Sequence, residues 1–220
     1  MAGASDFGGT AVAPPSFFIA VPPPAPLGIK GLEVDVMRAI TLLVPSLLPL
    51  ALAASCATST TERLGLEEPS TVQGFELERY LGTWYEIGNF PQSFQEGCTG
   101  TTATYSLRED GNVDVLNRCF EGDLDGPEKT AKGLARAVEV EEGKLEVSFF
   151  QPFWGAYWVL ELGDDYQYSV VGHPSRDYLW ILSREPQMDD EVLDGILERL
   201  SRVYGYELDR FERTAQPDAA

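Results

Sequence analysis

Between residues 75 and 213, apolar and polar side chains alternate in short runs separated by turn residues, the pattern of antiparallel strands with one buried face. The runs 84–90, 101–107, 113–120, 129–140, 144–150, 156–162, 166–172 and 178–183 are expected strands, and residues 76–81 have room for one helical turn. Asp110 with Gly111, and Glu142 with Gly143, fall where tight hairpin turns are needed, because glycine reaches positive φ without steric penalty. The period changes over 189–204, where Val192, Leu193, Ile196, Leu197, Leu200 and Val203 recur at helical spacing. The opposite face carries Glu191, Asp194, Glu198 and Arg202, and Asp189 or Asp190 can cap the start. That polar face is not basic, so the helix is expected against the outer wall of the β structure rather than on a membrane. Residues 206–211 fit one more short strand. The pattern therefore predicts an all-β barrel or sandwich with one late helix.

The first third reads differently. Residues 1–36 are rich in Pro, Gly and Ala, include Pro22, Pro23 and Pro24, and show no period. They are expected to be unstructured, or to lie upstream of a true start at Met37. Met37 and Arg38 then open a positive start, followed by the uncharged apolar stretch 39–54 and small residues before Cys56, the outline of a signal peptide over 37–55. Pro45 and Pro49 interrupt it, and it is shorter than the roughly 20 apolar residues of a spanning helix. Leu52, Ala53, Ala54, Ser55 and Cys56 resemble a bacterial lipoprotein box, with Ala53 where such boxes most often carry Leu. The resemblance implies that the Cys56 thiol is acylated and becomes the mature N-terminus. Several acyl chains make a stable anchor, since each buried methylene contributes about 0.8 kcal/mol. Ala57 stands where an Asp would imply inner-membrane retention, so the implied destination is the outer membrane, facing the periplasm. Residues 56–74 are expected to be a flexible tether, and 214–220 a tail.

Charge narrows the partners. With 16 basic against 35 acidic residues the net charge is -19, which repels phosphate backbones and makes nucleic acid an unfavourable partner. The carboxylates are scattered, as on a solvated surface. Three cysteines leave one unpaired: Cys98 and Cys119 flank a hairpin, and in an oxidising envelope a disulfide between them is favoured over free thiols. Their distances from the Asp110–Gly111 turn are unequal, so the bond requires a bulge or bend. Two cysteines and the single histidine, His173, make no metal site, and no cofactor is implied. Ser175 and Asp177 lie close to His173, but adjacency does not create nucleophile, base and orienter geometry. Glu86 and Glu161 could be carboxylates paired across a barrel, or one hydrogen-bonded and one solvated.

Gly82, Thr83 and Trp84 resemble the G-x-W signature that opens the first strand of lipocalins. Residues 165–168 are similar to the second motif of that family, although Asp164 replaces its common Thr, and Leu182, Ser183 and Arg184 are similar to the third. Segments 80–91, 103–117 and 176–186 resemble the bacterial lipocalin and apolipoprotein D branch in particular, and the resemblance covers about 75–213. It implies an all-β, eight-stranded antiparallel up-and-down lipocalin barrel with one C-terminal α-helix packed outside. Gly82, Trp84 and Arg184 would form its structural base, with Arg184 across the indole as a cation–π contact.

With Arg184 inward at that base, alternation turns Leu182, Trp180 and Tyr178 to the same side. Ala131, Gly133, Ala135 and Ala137 form a row of small residues that leaves room for a cavity. Facing it are expected Thr101, Ala103, Tyr105, Val113, Val115, Asn117, Leu145, Val147, Phe149, Trp158 and Leu160. Of these, Ala103, Tyr105, Val113, Val115, Asn117, Ala135, Phe149, Trp158, Tyr178 and Trp180 are the candidate ligand contacts. Phe150, Phe153 and Trp154 crowd one loop, which in the family lies at the open mouth. The implied function is binding, storage or transport of a fatty acid or lysophospholipid, by a monomer or homodimer tethered through its lipid anchor and supporting membrane maintenance. The alternatives are a lipocalin-fold enzyme acting on a lipid, and a filled barrel that contacts envelope partners.

Overall fold

The computed structural model describes residues 67–218. Eight strands run antiparallel in chain order: β1 (Gly82–Asn89), β2 (Cys98–Leu107), β3 (Val113–Glu121), β4 (Glu128–Glu139), β5 (Lys144–Phe150), β6 (Phe153–Leu162), β7 (Tyr168–Gly172) and β8 (Leu179–Ser183). Each pairs with the next, and β8 returns to β1 with Tyr85 opposite Ser183 and Asn89 opposite Trp180. The sheet closes on itself as expected, which removes exposed edges and leaves an interior wide enough for side chains or one small ligand.

The short helix α1 (Leu77–Tyr80) enters just before β1 and places Phe75 and Tyr80 in the core at one end. Connections 108–112, 140–143 and 163–167 share that closed end, whereas 90–97, 122–127, 151–152 and 173–178 form the opposite rim. The chain reaches the closed end already docked. Pro69 is buried, Val72 N–H donates to Val159 O at 3.0 Å and Phe75 N–H to Glu141 O at 3.1 Å. The end of the expected tether is thus part of the domain. Cys56, the signal segment 37–55 and residues 1–36 lie outside the described residues.

Helix α2 (Asp190–Arg202) buries Leu193, Ile196 and Leu200 against Leu160, Val170, Leu179 and Ile181 on the outer wall. Asp189 caps it by accepting from Glu191 N–H at 2.7 Å. This packing explains why β8 is buried at every position and β7 at all but its first: one face looks into the barrel and the other lies under the helix, so alternation gives way to a continuous apolar run. Tyr166, expected to open β7, sits instead at φ 58° in the preceding turn.

The barrel wall has a seam. β1 pairs with β2 only from Gly82 to Tyr85, and above that the strand β9 (Glu212–Arg213) pairs with Gly88 and Asn89. Thr214 N–H donates to Ile87 O at 3.0 Å, and Gly100 N–H to Ala215 O at 2.7 Å. Gln216 Nε2 bridges Glu86 O and Thr101 O at 2.8 Å each. Residues 212–216 therefore wedge between β1 and β2, and the segment expected as a tail from 214 is wall. Gly88 permits this approach, because a Cβ there would collide with the Phe211 ring and Glu212 O. The strand expected at 206–211 is absent. Tyr206 is a buried pillar and Leu208–Arg210 a 3-10 turn.

Candidate functional site

The closed end is built around Trp84. Its ring is fully buried, its Nε1 donates to Tyr80 O at 2.8 Å, and the Arg184 guanidinium lies 3.7 Å from the ring centroid. Arg184 also donates to Thr83 O at 3.0 Å and Arg79 O at 2.7 Å, tying α1 to β1. Gly82 has φ +92°, a conformation that a side chain would strain, and a Cβ there would face Arg184 Nη1. The three residues singled out as the base are therefore in mutual contact or within one residue of it.

Above the base, four hydroxyls form a buried chain: Tyr105 to Tyr157 at 2.9 Å, Tyr157 to Tyr80 at 2.8 Å, and Tyr80 to Ser169 at 2.9 Å. Burial raises all three phenols, Tyr80 to about 12, so they are neutral donors and acceptors at physiological pH. Leu77, Tyr80, Tyr105, Val113, Val115, Ala135, Leu145, Val147 and Tyr157 enclose an apolar cavity of about 20 Å³. That is room for about one water, not for a lipid chain.

Tyr157, rather than Trp158, looks inward. Lys144 opposes Trp158 and its Nζ lies 5.2 Å from that ring, so Trp158 is an outer-wall residue, half-buried beside the α2 cluster. A bulge between Val159 and Glu161 shifts the phase again and sends Leu160 under the helix. Neighbouring aromatics at 157 and 158 left the phase of β6 ambiguous; the inward Leu145 and Val147 of β5 were the signal that could have fixed it. Ala137 is exposed beyond the wall. The remaining candidates face the core: Ala103, Tyr105, Val113, Val115, Ala135 and Trp180 are buried there, with Phe149 and Tyr178 packed at its margin. Asn117 is fully buried, opposite Ala103 on one side and Ala131 on the other. The volume that the small-residue row was expected to leave open is partly taken, because the Phe149 ring covers Gly133 closely enough to meet any Cβ added there.

Glu86 follows Trp84 on the inward phase of β1 and is 1% exposed. Its carboxyl accepts from Asn89 Nδ2 at 2.7 Å, Gln95 Nε2 at 2.6 Å and the Thr214 hydroxyl, and Gln95 Oε1 in turn accepts from Trp180 Nε1 at 3.4 Å. Burial, opposed by these donors, holds its pKa above the usual carboxyl value. A raised acid contributes most to stability below its unfolded pKa of about 4.3 and loses that contribution as pH rises through the folded value. The stability difference between wild type and Glu86→Gln is therefore expected to fall from about pH 4 toward neutrality. Thermal melts of both proteins across that range check it, and a constant difference would refute the assignment. Glu161 is not its partner: it lies outside the barrel on Arg199 Nε at 3.0 Å and the Tyr168 hydroxyl at 2.7 Å.

At the rim, Cys98 and Cys119 form the expected disulfide, with Cα atoms 5.5 Å apart and a bulge in β2 between Thr99 and Thr102. Phe150 and Phe153 face each other across the turn at Pro152, both 57% exposed. His173 Nδ1 accepts from Ser175 N–H at 3.1 Å and contacts its hydroxyl at 2.9 Å, whereas the Asp177 carboxylate lies 3.8 Å from Arg210. Burial lowers the His173 pKa. Among the described residues no three His, Cys, Asp or Glu side chains converge on a metal position.

Residues 75–216 match the family described as a lipocalin-like domain. Outer membrane lipoprotein Blc of Escherichia coli K12 is 40% identical over 178 residues, covering 78% of this chain and 98% of the relative. Apolipoprotein D of Mus musculus is 36% identical over 159 residues, covering 67% and 80%. Insecticyanin from the tobacco hornworm Manduca sexta superposes with a TM-score of 0.56 at 22% identity, over 70% of this chain and 87% of that one, a likeness of fold. With its closed base, its Gly82–Trp84–Arg184 cluster and a match over most of its length, the chain belongs to the lipocalin family.

Proposed function

We propose that the protein binds a hydrophobic small molecule in the barrel and stores or carries it at the bacterial outer membrane. The carrying observation is the inward wall of β2–β4. Ala103, Ala131, Gly133 and Ala135 are small, and the side chain nearest Gly133 is the partly exposed ring of Phe149. A ring packed on glycine is a displaceable filler, since moving it uncovers apolar surface without breaking a hydrogen bond. The cavity below would then be continuous with the mouth. The ligand contacts are Ala103, Tyr105, Val113, Val115, Asn117, Ala135, Phe149, Tyr178 and Trp180. The apolar lining with a few polar groups matches the chemistry of a fatty acid or lysophospholipid, and the relatives named outer membrane lipoproteins support the location. An anchor at Cys56 would hold the domain on the periplasmic face, where such a carrier serves membrane maintenance.

Displacement of a fluorescent fatty acid from the purified protein tests this reading, with dissociation constants expected in the micromolar range or tighter, about -8 kcal/mol or better. Trp180, not Trp158, is expected to report the ligand, so Trp158→Phe keeps the fluorescence change and Trp180→Phe loses most of it. Phe149→Ala is expected to strengthen binding of bulky chains by enlarging the cavity. Absence of any saturable binding would defeat the proposal.

A further inference from the structure

Buried polar side-chain atoms without a partner are few among the described residues, and Asn117 stands apart within them. Thr101, Ser148 and Gln216 each leave a single oxygen unmet, but Asn117 leaves both Nδ2 and Oδ1. It is fully buried and lies one inward step toward the mouth from Val115, which lines the cavity. Its neighbours across the wall are Ala103 and Ala131, neither of which can bond an amide through its side chain. A buried amide with both groups unmet is costly unless something completes it.

We infer that Asn117 reads the polar end of a single-chain glycerolipid through a paired donor and acceptor, and that the group it reads is a glycerol ester. This rests on the barrel binding a lipid at all. Nδ2–H donates to an ester carbonyl, while Oδ1 accepts from the hydroxyl that neighbours it on the glycerol. Monoacylglycerols and lysophospholipids share that arrangement. A methyl ester offers only the acceptor, and an ionised fatty acid offers acceptors without a donor, so either leaves Oδ1 unmet. Among the described residues, the cation on the inward row is already paired. Lys129, on the same inward row, is engaged with Glu121 at 2.7 Å, and Glu86 is itself a carboxyl buried in the wall.

The test measures displacement of a fluorescent lipid from the full-length protein by monoolein, oleoyl lysophosphatidylcholine, sodium oleate and methyl oleate, in wild type, Asn117→Leu and Asn117→Ala. Wild type is expected to bind monoolein about tenfold more tightly than methyl oleate, with the lysophospholipid close to monoolein and oleate close to the methyl ester. Both variants are expected to bind all four alike, and to gain affinity for methyl oleate. Because neither variant leaves an unmet amide in the empty barrel, their melting temperatures should equal or exceed that of wild type, which also shows that they fold. Equal wild-type affinities for monoolein and methyl oleate overturn the inference while leaving lipid binding intact, as does a preference that survives in Asn117→Leu. A lysophospholipid that alone outcompetes methyl oleate points to its phosphate and overturns it too. Failure of every competitor, and of the fluorescent lipid itself, defeats the lipid-binding reading and this inference together.

Discussion

Trp84→Ala is expected to destabilise the domain by about 3–5 kcal/mol, the range for deleting a fully buried tryptophan. The loss is not only volume. The indole accepts the Arg184 guanidinium at 3.7 Å, a contact worth about 0.5–2 kcal/mol, and its Nε1 satisfies the Tyr80 carbonyl at the end of α1. Removing it frees both the plug and the arginine that ties the plug to Thr83 and Arg79. Urea denaturation reads the effect as a lowered midpoint, and for a domain of this size the melting temperature should fall by roughly 10 °C or more. Trp158→Ala is the internal comparison, because that ring is only half-buried on the outside and should cost far less. A Trp84→Ala protein with an unchanged midpoint would show that the base does not hold the barrel together.

Ending the chain after Phe211 is the second large perturbation. It removes the bonds from Thr214 to Ile87, from Gly100 to Ala215 and from Gln216 to Glu86 and Thr101, and it takes one donor from the buried Glu86 carboxyl. At about 1 kcal/mol for each of these four hydrogen bonds the expected loss is roughly 4 kcal/mol, before the lost pairing of β9 with Gly88 and Asn89 and the incomplete pairing of the Glu86 carboxyl. Amide exchange locates it: Gly100 and the adjoining amides of β1 and β2 should lose protection, whereas β5 and β6 should keep theirs relative to global opening. Uniform exchange across the barrel, with stability unchanged, would contradict a wall built from residues 212–216.

The alternating runs and one amphipathic helix narrowed the fold to a barrel or sandwich, and the resemblance to lipocalins selected the barrel. The base was legible because Gly82, Trp84 and Arg184 sit in the order of the motifs that they resemble. The lining was less so. Alternation assigns a face only while the register is unbroken, and bulges in β1, β2, β4, β5 and β6 each reset it. That is how Trp158 came to be expected inside and Tyr157 was missed. The seam carried no apolar signal, since Thr214, Ala215 and Gln216 join the wall through backbone and amide hydrogen bonds. Glu86 was visible as a carboxylate on a strand, but its burial depends on Gln95 and Thr214, which reach it from 9 and 128 residues away. Local sequence does not encode such meetings.

The wedge also orders events in time. Every strand that flanks it is made earlier by the ribosome, so β1 through β8 precede the segment that fastens β1 to β2. Until those last residues emerge, the upper half of the cylinder stays unzipped along one side, with Gly100 and Ile87 offering unpaired amide and carbonyl groups to solvent or to a chaperone. Completion of the container is thus coupled to completion of the segment that follows the helix, and a chain halted short of it would be a trough rather than a vessel.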